Sequence, residues 1–250
     1  MEGTAVLGRL NWRAAEVVEV RPETHETKTI AFDVPEWPGH RAGQHVDVRL
    51  TADDGYQAER SYSIASASDG SRVELTVERL DDGEVSPYLT DELQLGDLLE
   101  LRGPVGGYFV WDSGAHGDVL LVAGGSGVVP LMAMARQRAA EGSAIPTRLL
   151  YSARSLDDVI YHDELTQLAA RGDGFDAVYT LTRSQPDGWE GYGRRVDREL
   201  LGEVAPAPGQ LVVAFVCGPT PFVEAVASGL VELGHEPARI KTERFGPTGG

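Results

Sequence analysis

Cys217 is the only cysteine in this chain of 250 residues. It excludes an internal disulfide, and it excludes an iron–sulfur cluster held by the chain's own cysteines, which would take about four thiolates. Long apolar runs are scarce as well. The longest, Val119 to Ala135, is broken by three glycines, a serine and a proline and ends at Arg136. It falls short of the roughly 20 apolar residues that a membrane span needs. The opening residues, Met1 to Trp12, lack a basic start followed by an apolar core, so a cytoplasmic location is expected. Positive charge is the third shortage: 22 Lys+Arg stand against 39 Asp+Glu, for a net charge of −17. Nucleic-acid binding calls for a basic face, which this balance argues against. The histidines, His25, His40, His45, His116, His162 and His235, show no HExxH or similar spacing, so no bound metal is expected.

What is present divides into two halves. Up to Trp111 the chain reads as short alternating segments: Ala15 to Val20, Thr27 to Val34, His45 to Leu50, Glu59 to Ile64, Arg72 to Arg79 and Leu98 to Leu101. Such strands separated by turn residues predict a small antiparallel β-barrel over residues 1–112. After Gly117 apolar strands alternate with helix-length amphipathic segments. The strands are Val119 to Ala123, Arg148 to Ser152, Ala177 to Thr182, Leu211 to Cys217 and Arg239 to Phe245. The helices are Pro130 to Ala140, Ile160 to Ala170, Arg198 to Val204 and Pro221 to Leu233. This alternation predicts an α/β domain with a five-stranded parallel sheet over residues 113–250. The acidity is uneven: residues 1–112 hold 10 Lys+Arg against 22 Asp+Glu, and residues 113–250 hold 12 against 17.

Several short motifs suit a phosphate-bearing dinucleotide. Arg60, Ser61, Tyr62 and Ser63 place a cation, a phenol and hydroxyls within one segment, although a half-buried barrel strand has the same pattern. Gly83, Glu84, Val85, Ser86 and Pro87 read as a helix start with Ser86 at the N-cap and Pro87 at the first helical position. Such an end can hold an anion or simply cap a surface helix. Gly124, Gly125, Ser126 and Gly127 follow a buried strand and open a helix, where a glycine turn lets backbone approach a phosphate. A generic tight turn fits them equally. Cys217, Gly218 and Pro219 end a strand of the sheet, at the edge where ligands gather, and a lone thiol is also a common buried apolar group.

Taken in order, RSYS (Arg60 to Ser63), GEVS (Gly83 to Ser86), GGSG (Gly124 to Gly127), CGP (Cys217 to Pro219) and the terminal ERF (Glu243 to Phe245) resemble the ferredoxin–NADP reductase family. The resemblance implies an FAD-binding barrel followed by an NAD(P)-binding domain, without a fused iron–sulfur domain. It implies that Arg60, Gly83, Val85 and Ser86 hold the FAD pyrophosphate, that Tyr62 packs on the isoalloxazine and that Ser63 bonds its N5 edge. Gly125, Ser126 and Gly127 would receive the nicotinamide nucleotide, with Cys217 and Gly218 beside its ring and Glu243 and Phe245 close to the flavin. Two departures stand out. Glu84 is an acid where relatives often have glycine, and Val129 stands where many relatives carry a threonine or alanine, so no hydroxyl is offered there.

The expected activity is hydride transfer from NAD(P)H to FAD and single-electron delivery to a separate protein, such as a ferredoxin, a haem protein or an oxygenase component. An NAD(P)H:flavin reductase and a non-catalytic FAD-binding redox sensor remain alternatives. NADPH is favoured over NADH because Arg154 and Arg183 stand at adjacent strand ends, with Arg194 and Arg195 in reserve, and guanidinium forks suit a 2′-phosphate. The acidic first half suggests a neutral or basic acceptor, or a narrow basic patch around Arg9, Arg13 and Arg41.

Overall fold

The computed structural model describes residues 10–52, 54–111, 114, 117–207 and 211–245. The expected domain boundary between residues 112 and 113 lies outside this set, as do Arg9 and His116.

In the first half, β1 (Trp12–Pro22), β2 (Thr27–Asp33), β3 (His45–Thr51), β4 (Gln57–Ser63), β5 (Arg72–Glu78) and β6 (Leu98–Val105) follow the alternating segments closely. They form an antiparallel sheet in the order β4-β3-β6-β1-β2-β5, and a bridge between Ile64 and Leu75 joins its two edges into a barrel. Alternation drives the closure: Val46 and Val48 of β3 and Val73, Leu75 and Val77 of β5 all point inward and are fully buried. Each such side chain contributes about 1.5–3 kcal/mol of apolar burial. β1 is longer than its alternation predicts because it serves two partners. Trp12 to Glu16 pair with β6, Glu16 to Pro22 pair with β2, and a bulge between Val17 and Glu19 makes the change of direction.

The second half contains β7 (Asp118–Gly124), α1 (Val128–Ala140), β8 (Thr147–Ala153), α2 (His162–Ala170) and β9 (Phe175–Leu181). It continues through α3 (Arg198–Val204), β10 (Val212–Pro219), α4 (Thr220–Glu232) and β11 (Ile240–Phe245). The strands are parallel in the order β11-β10-β7-β8-β9, with apolar layers on both faces. Strand order reverses between β7 and β10, and in open α/β sheets the crevice at that point receives ligands. α3 begins where expected because the Asp197 carboxylate accepts a hydrogen bond from Leu200 N at 2.8 Å. α2 begins two residues later than its pattern predicts. Tyr161 adopts φ 62°, a left-handed conformation that no helix interior accommodates.

The halves share a packed interface. Ala42, Ala65, Phe109 and Trp111 of the first half belong to the same apolar cluster as α1 and β7. Arg136 of α1 crosses the interface: it donates to Ala65 O at 2.8 Å and to Glu74 Oε2 at 3.3 Å on the barrel, and to both oxygens of Glu164 on its own side. Its guanidinium also lies 4.9 Å from the centre of the Tyr161 ring, whose hydroxyl donates to Thr76 Oγ1 of β5.

Candidate active site

A cleft of about 720 Å³ opens between the two halves, within the range of cofactor pockets. Its barrel wall includes Arg60, Ser61, Tyr62 and Ser63 from the end of β4 and Gly83, Glu84, Val85 and Ser86 from the loop after β5. The opposite wall includes Gly124, Gly125 and Ser126 after β7, Ser152 to Arg154 after β8, and Pro219 and Phe222 at the β10–α4 turn. Phe245, at the end of β11, also lines it. Motifs far apart in sequence thus meet in one cavity.

On the barrel wall, Tyr62 packs half-buried against the barrel core, and desolvation pushes its phenol up to about 12, so it stays protonated at neutral pH. Ser63 pairs with His45 across the β3–β4 ladder and is half-buried at the cleft edge. Val85 is fully buried in the barrel core, which anchors the loop and leaves its backbone to face the cleft.

Ser86 does not cap a helix, contrary to the pattern of its segment. The chain turns helical at Ser86 itself and continues into a short π-helical turn, Tyr88–Glu92, with no side-chain cap. The Ser86 hydroxyl turns back and accepts from Leu80 N at 3.0 Å, closing the loop onto the end of β5. Gly83 allows this, since a Cβ there would lie 2.9 Å from Ser86 Oγ.

On the sheet wall, Gly125 has φ 57° and nothing within 4 Å of where a Cβ would stand, so its glycine answers to backbone conformation and leaves an open approach. Gly127 plays a different part. A Cβ there would lie 2.2 Å from Cys217 O, so it lets the start of α1 press against β10 and does not line the cleft. Gly218 likewise makes room, for Phe222 at 2.8 Å. Phe222 was not foreseen. It fills the space left by Gly124 and Gly218 at the strand-order reversal, and the paired glycines around an aromatic on the next helix were its only trace in the sequence.

Cys217 is buried behind this wall, and desolvation followed by the neighbouring Glu243 carboxylate raises its thiol well above the usual range. It is a neutral thiol at physiological pH, which disfavours nucleophilic chemistry. Glu243 stands opposite Cys217 in the β10–β11 register. Burial raises its carboxyl to about 7, Oε2 has no partner, and Oε1 lies 4.0 Å from His45 Nδ1. Neither Cys217 nor Glu243 lines the cleft itself.

The arginines differ sharply. Arg60 donates to Glu84 Oε2 at 2.9 Å and to Glu59 O at 2.7 Å. Arg154 lines the cleft, and Arg183 is tied to it through the backbone, Arg183 N donating to Arg154 O at 2.8 Å. Among the described residues neither guanidinium has an acidic partner. Arg194 does not stand in reserve for a phosphate, because Glu199 and Glu203 hold it at 2.8 and 2.6 Å. Asp158, also unforeseen, lines the cleft and accepts from Ser155 Oγ at 2.6 Å.

A barrel and a doubly wound sheet sharing a cleft, one wall built around an arginine and the other around an open glycine turn, define a two-domain oxidoreductase for a flavin and a pyridine dinucleotide. The family comparisons agree. Residues 14–110 match an oxidoreductase FAD-binding domain and residues 121–228 an oxidoreductase NAD-binding domain. Ferredoxin–NADP reductase B of Sorangium cellulosum is 37% identical over 240 residues, covering 92% of this chain and 96% of that protein. The glycine betaine monooxygenase reductase subunit of Pseudomonas aeruginosa (strain UCBPP-PA14) is 35% identical over 235 residues, which make up 92% of this chain. The chain spans only 63% of that subunit's length. The crystal structure of an Amycolatopsis cytochrome P450 reductase superposes with a TM-score of 0.82 at 28% identity, covering 98% of this chain and 74% of that one. The chain belongs to the ferredoxin–NADP reductase family, and FAD and NAD(P)H are its cofactors. Among the described residues no helix is long and apolar enough to cross a membrane, and no cluster of metal-binding side chains occurs.

Proposed function

We propose that the protein accepts hydride from NADPH and passes electrons one at a time to a separate redox protein, a ferredoxin, haem protein or oxygenase component. The single observation that carries this reading is the shared cleft, in which the β4 end and the Gly83–Ser86 loop face the Gly124–Ser126 turn. Bound FAD supplies the exchange between two-electron and one-electron chemistry. The chain's own residues position and shield. Arg60 is the ligand of the diphosphate, Tyr62 packs on the flavin ring, Ser63 bonds its N5 edge, and Gly125 and Ser126 seat the nicotinamide nucleotide. Glu243 supports that seat from behind through the Cys217 strand, and Phe245 covers the cleft mouth.

The preference for NADPH rests on Arg154, which lines the cleft, and Arg183 at the neighbouring strand end, neither with an acidic partner among the described residues, as forks for a 2′-phosphate. The acceptor is neutral or basic, or it docks on a narrow patch at the barrel's arginines, of which Arg13 is engaged only by carbonyl oxygens among the described residues and Arg41 is exposed. Raising salt should slow transfer to a basic partner, which the acidic barrel attracts, and speed it to an acidic one, which the barrel repels. The lone buried thiol is compatible with the reducing cytoplasm, where we place the protein. The test is purification followed by stopped-flow mixing. Flavin should survive dialysis, NADPH should bleach it, and a single-electron acceptor should restore its colour. A colourless protein that never reacts with NADPH refutes the reading. One observation favours a second reading, an NAD(P)H:flavin reductase with exchangeable flavin: the cation at the diphosphate site already has a carboxylate partner.

A further inference from the structure

We propose that Glu84 is an internal competitor for the FAD diphosphate, so that this carboxylate sets how tightly the cofactor is held. The proposal rests on the reading of Arg60 as the diphosphate ligand. Arg60 is the only cation among the described barrel residues that line the cleft. Its Nη2 donates to Glu84 Oε2 at 2.9 Å and its Nη1 to Glu59 O at 2.7 Å, which occupies donors that phosphate oxygens would take. The carboxylate does not swing clear of the site. Its other oxygen accepts from the Tyr56 hydroxyl at 3.1 Å, so a neighbouring side chain holds it over the guanidinium.

Magnitudes decide how this arrangement behaves. Arg60 and Glu84 are each 52% exposed, and an ion pair that open to water is weak, so an incoming diphosphate can part it. Parting the pair does not remove the carboxylate. Glu84 lies in the loop between Gly83 and Val85, whose side chain is locked into the barrel core, so the displaced charge stays beside the phosphates and repels them. Binding therefore exchanges one anion for another at Arg60 and leaves the first nearby. Replacing the charge with an amide of the same shape removes both the competition and the repulsion.

The test compares wild type, Glu84→Gln, Arg60→Ala and the double variant as purified flavoproteins. FAD released on serial dilution is followed by the rise in flavin fluorescence, with circular dichroism confirming the fold. Glu84→Gln is expected to tighten FAD about five- to tenfold and to make its affinity fall more steeply with salt, since the site then carries an unopposed cation. In the Arg60→Ala background the same change should give a smaller gain, because the competition for the guanidinium is gone and only the direct repulsion between Glu84 and the phosphates is left to remove. An unchanged or weaker affinity for Glu84→Gln overturns the proposal, as does an equal gain in both backgrounds. Arg60→Ala holding FAD as tightly as wild type overturns the underlying assignment of Arg60 instead, so the two failures are separable.

Discussion

The two ends of the cleft treat arginine in opposite ways. At the barrel end the guanidinium of Arg60 rests against Glu84, whereas at the sheet end Arg154 and Arg183 have no acidic partner among the described residues. At the barrel end the one cation that lines the cleft is paired with an internal carboxylate until a ligand displaces it. The sheet end presents a guanidinium with no such partner among the described residues in a protein of net charge −17, so an added phosphate has no internal anion to displace from it. One end is arranged to bind by exchange and the other by simple neutralisation. A cofactor that stays and one that comes and goes each need a different balance of affinity, and the difference in pairing is where that balance is set.

Arg136 helps to fix the distance between the two ends. Its side chain is 14% exposed and bridges Glu74 and Glu164. Arg136→Ala removes the bridge and the donor to Ala65 O, but Glu74 keeps Arg21 and Arg72 and Glu164 is partly exposed, so the cost should be about 3 kcal/mol of stability, read by denaturant unfolding. Breaking the sheet end comes next in size. Arg154→Ala with Arg183→Ala should lower kcat/KM for NADPH about a hundredfold while leaving NADH nearly unchanged, since each removes charge-assisted bonds to the phosphate alone. Comparable losses with both nucleotides would show that the arginines support the sheet and do not read the phosphate.

Glu243 offers a third test, with a definite sign. Burial raises its carboxyl to about 7, above the unfolded value, so the folded state holds the extra proton between those limits. Stability from this group is lost as pH rises through that window, and the full cost of ionisation is present above it. Glu243→Gln should therefore stabilise the protein by about 2 kcal/mol near pH 8 and by almost nothing at about pH 4, measured by unfolding at both. The smallest effect is expected at the cleft mouth. Phe245→Ala should keep FAD and thermal stability yet raise oxygen-dependent NADPH oxidation by about two- to fivefold, because the ring is 37% exposed and shields more than it packs. Lowered stability with unchanged oxidation would assign it to packing alone.

Strand positions were legible in the sequence because burial on one face imposes a two-residue period, as at Val46, Val48, Val73 and Leu75. The positions of Arg60 and Gly125 in the cleft were legible as motifs. Long-range satisfaction was not. Nothing local to Ser86 indicates that its hydroxyl belongs to Leu80 N, and nothing around Arg136 in an apolar helix announces Glu74, 62 residues earlier. Phe222 escaped for a related reason, since its place depends on two glycines from different strands. Periodicity reports which face is buried, and it is silent on which particular atom meets which.

The close approach of Gly127 to the Cys217 carbonyl gives the protein a reporter of its own motion. With its only thiol sealed beneath the start of α1, reaction with a maleimide has to wait until that helix end lifts from β10. The labelling rate is then a clock for opening at the strand-order reversal, without any engineered probe. Slower labelling in the presence of nucleotide would measure, in free-energy units, how firmly an occupied crevice clamps the sheet shut.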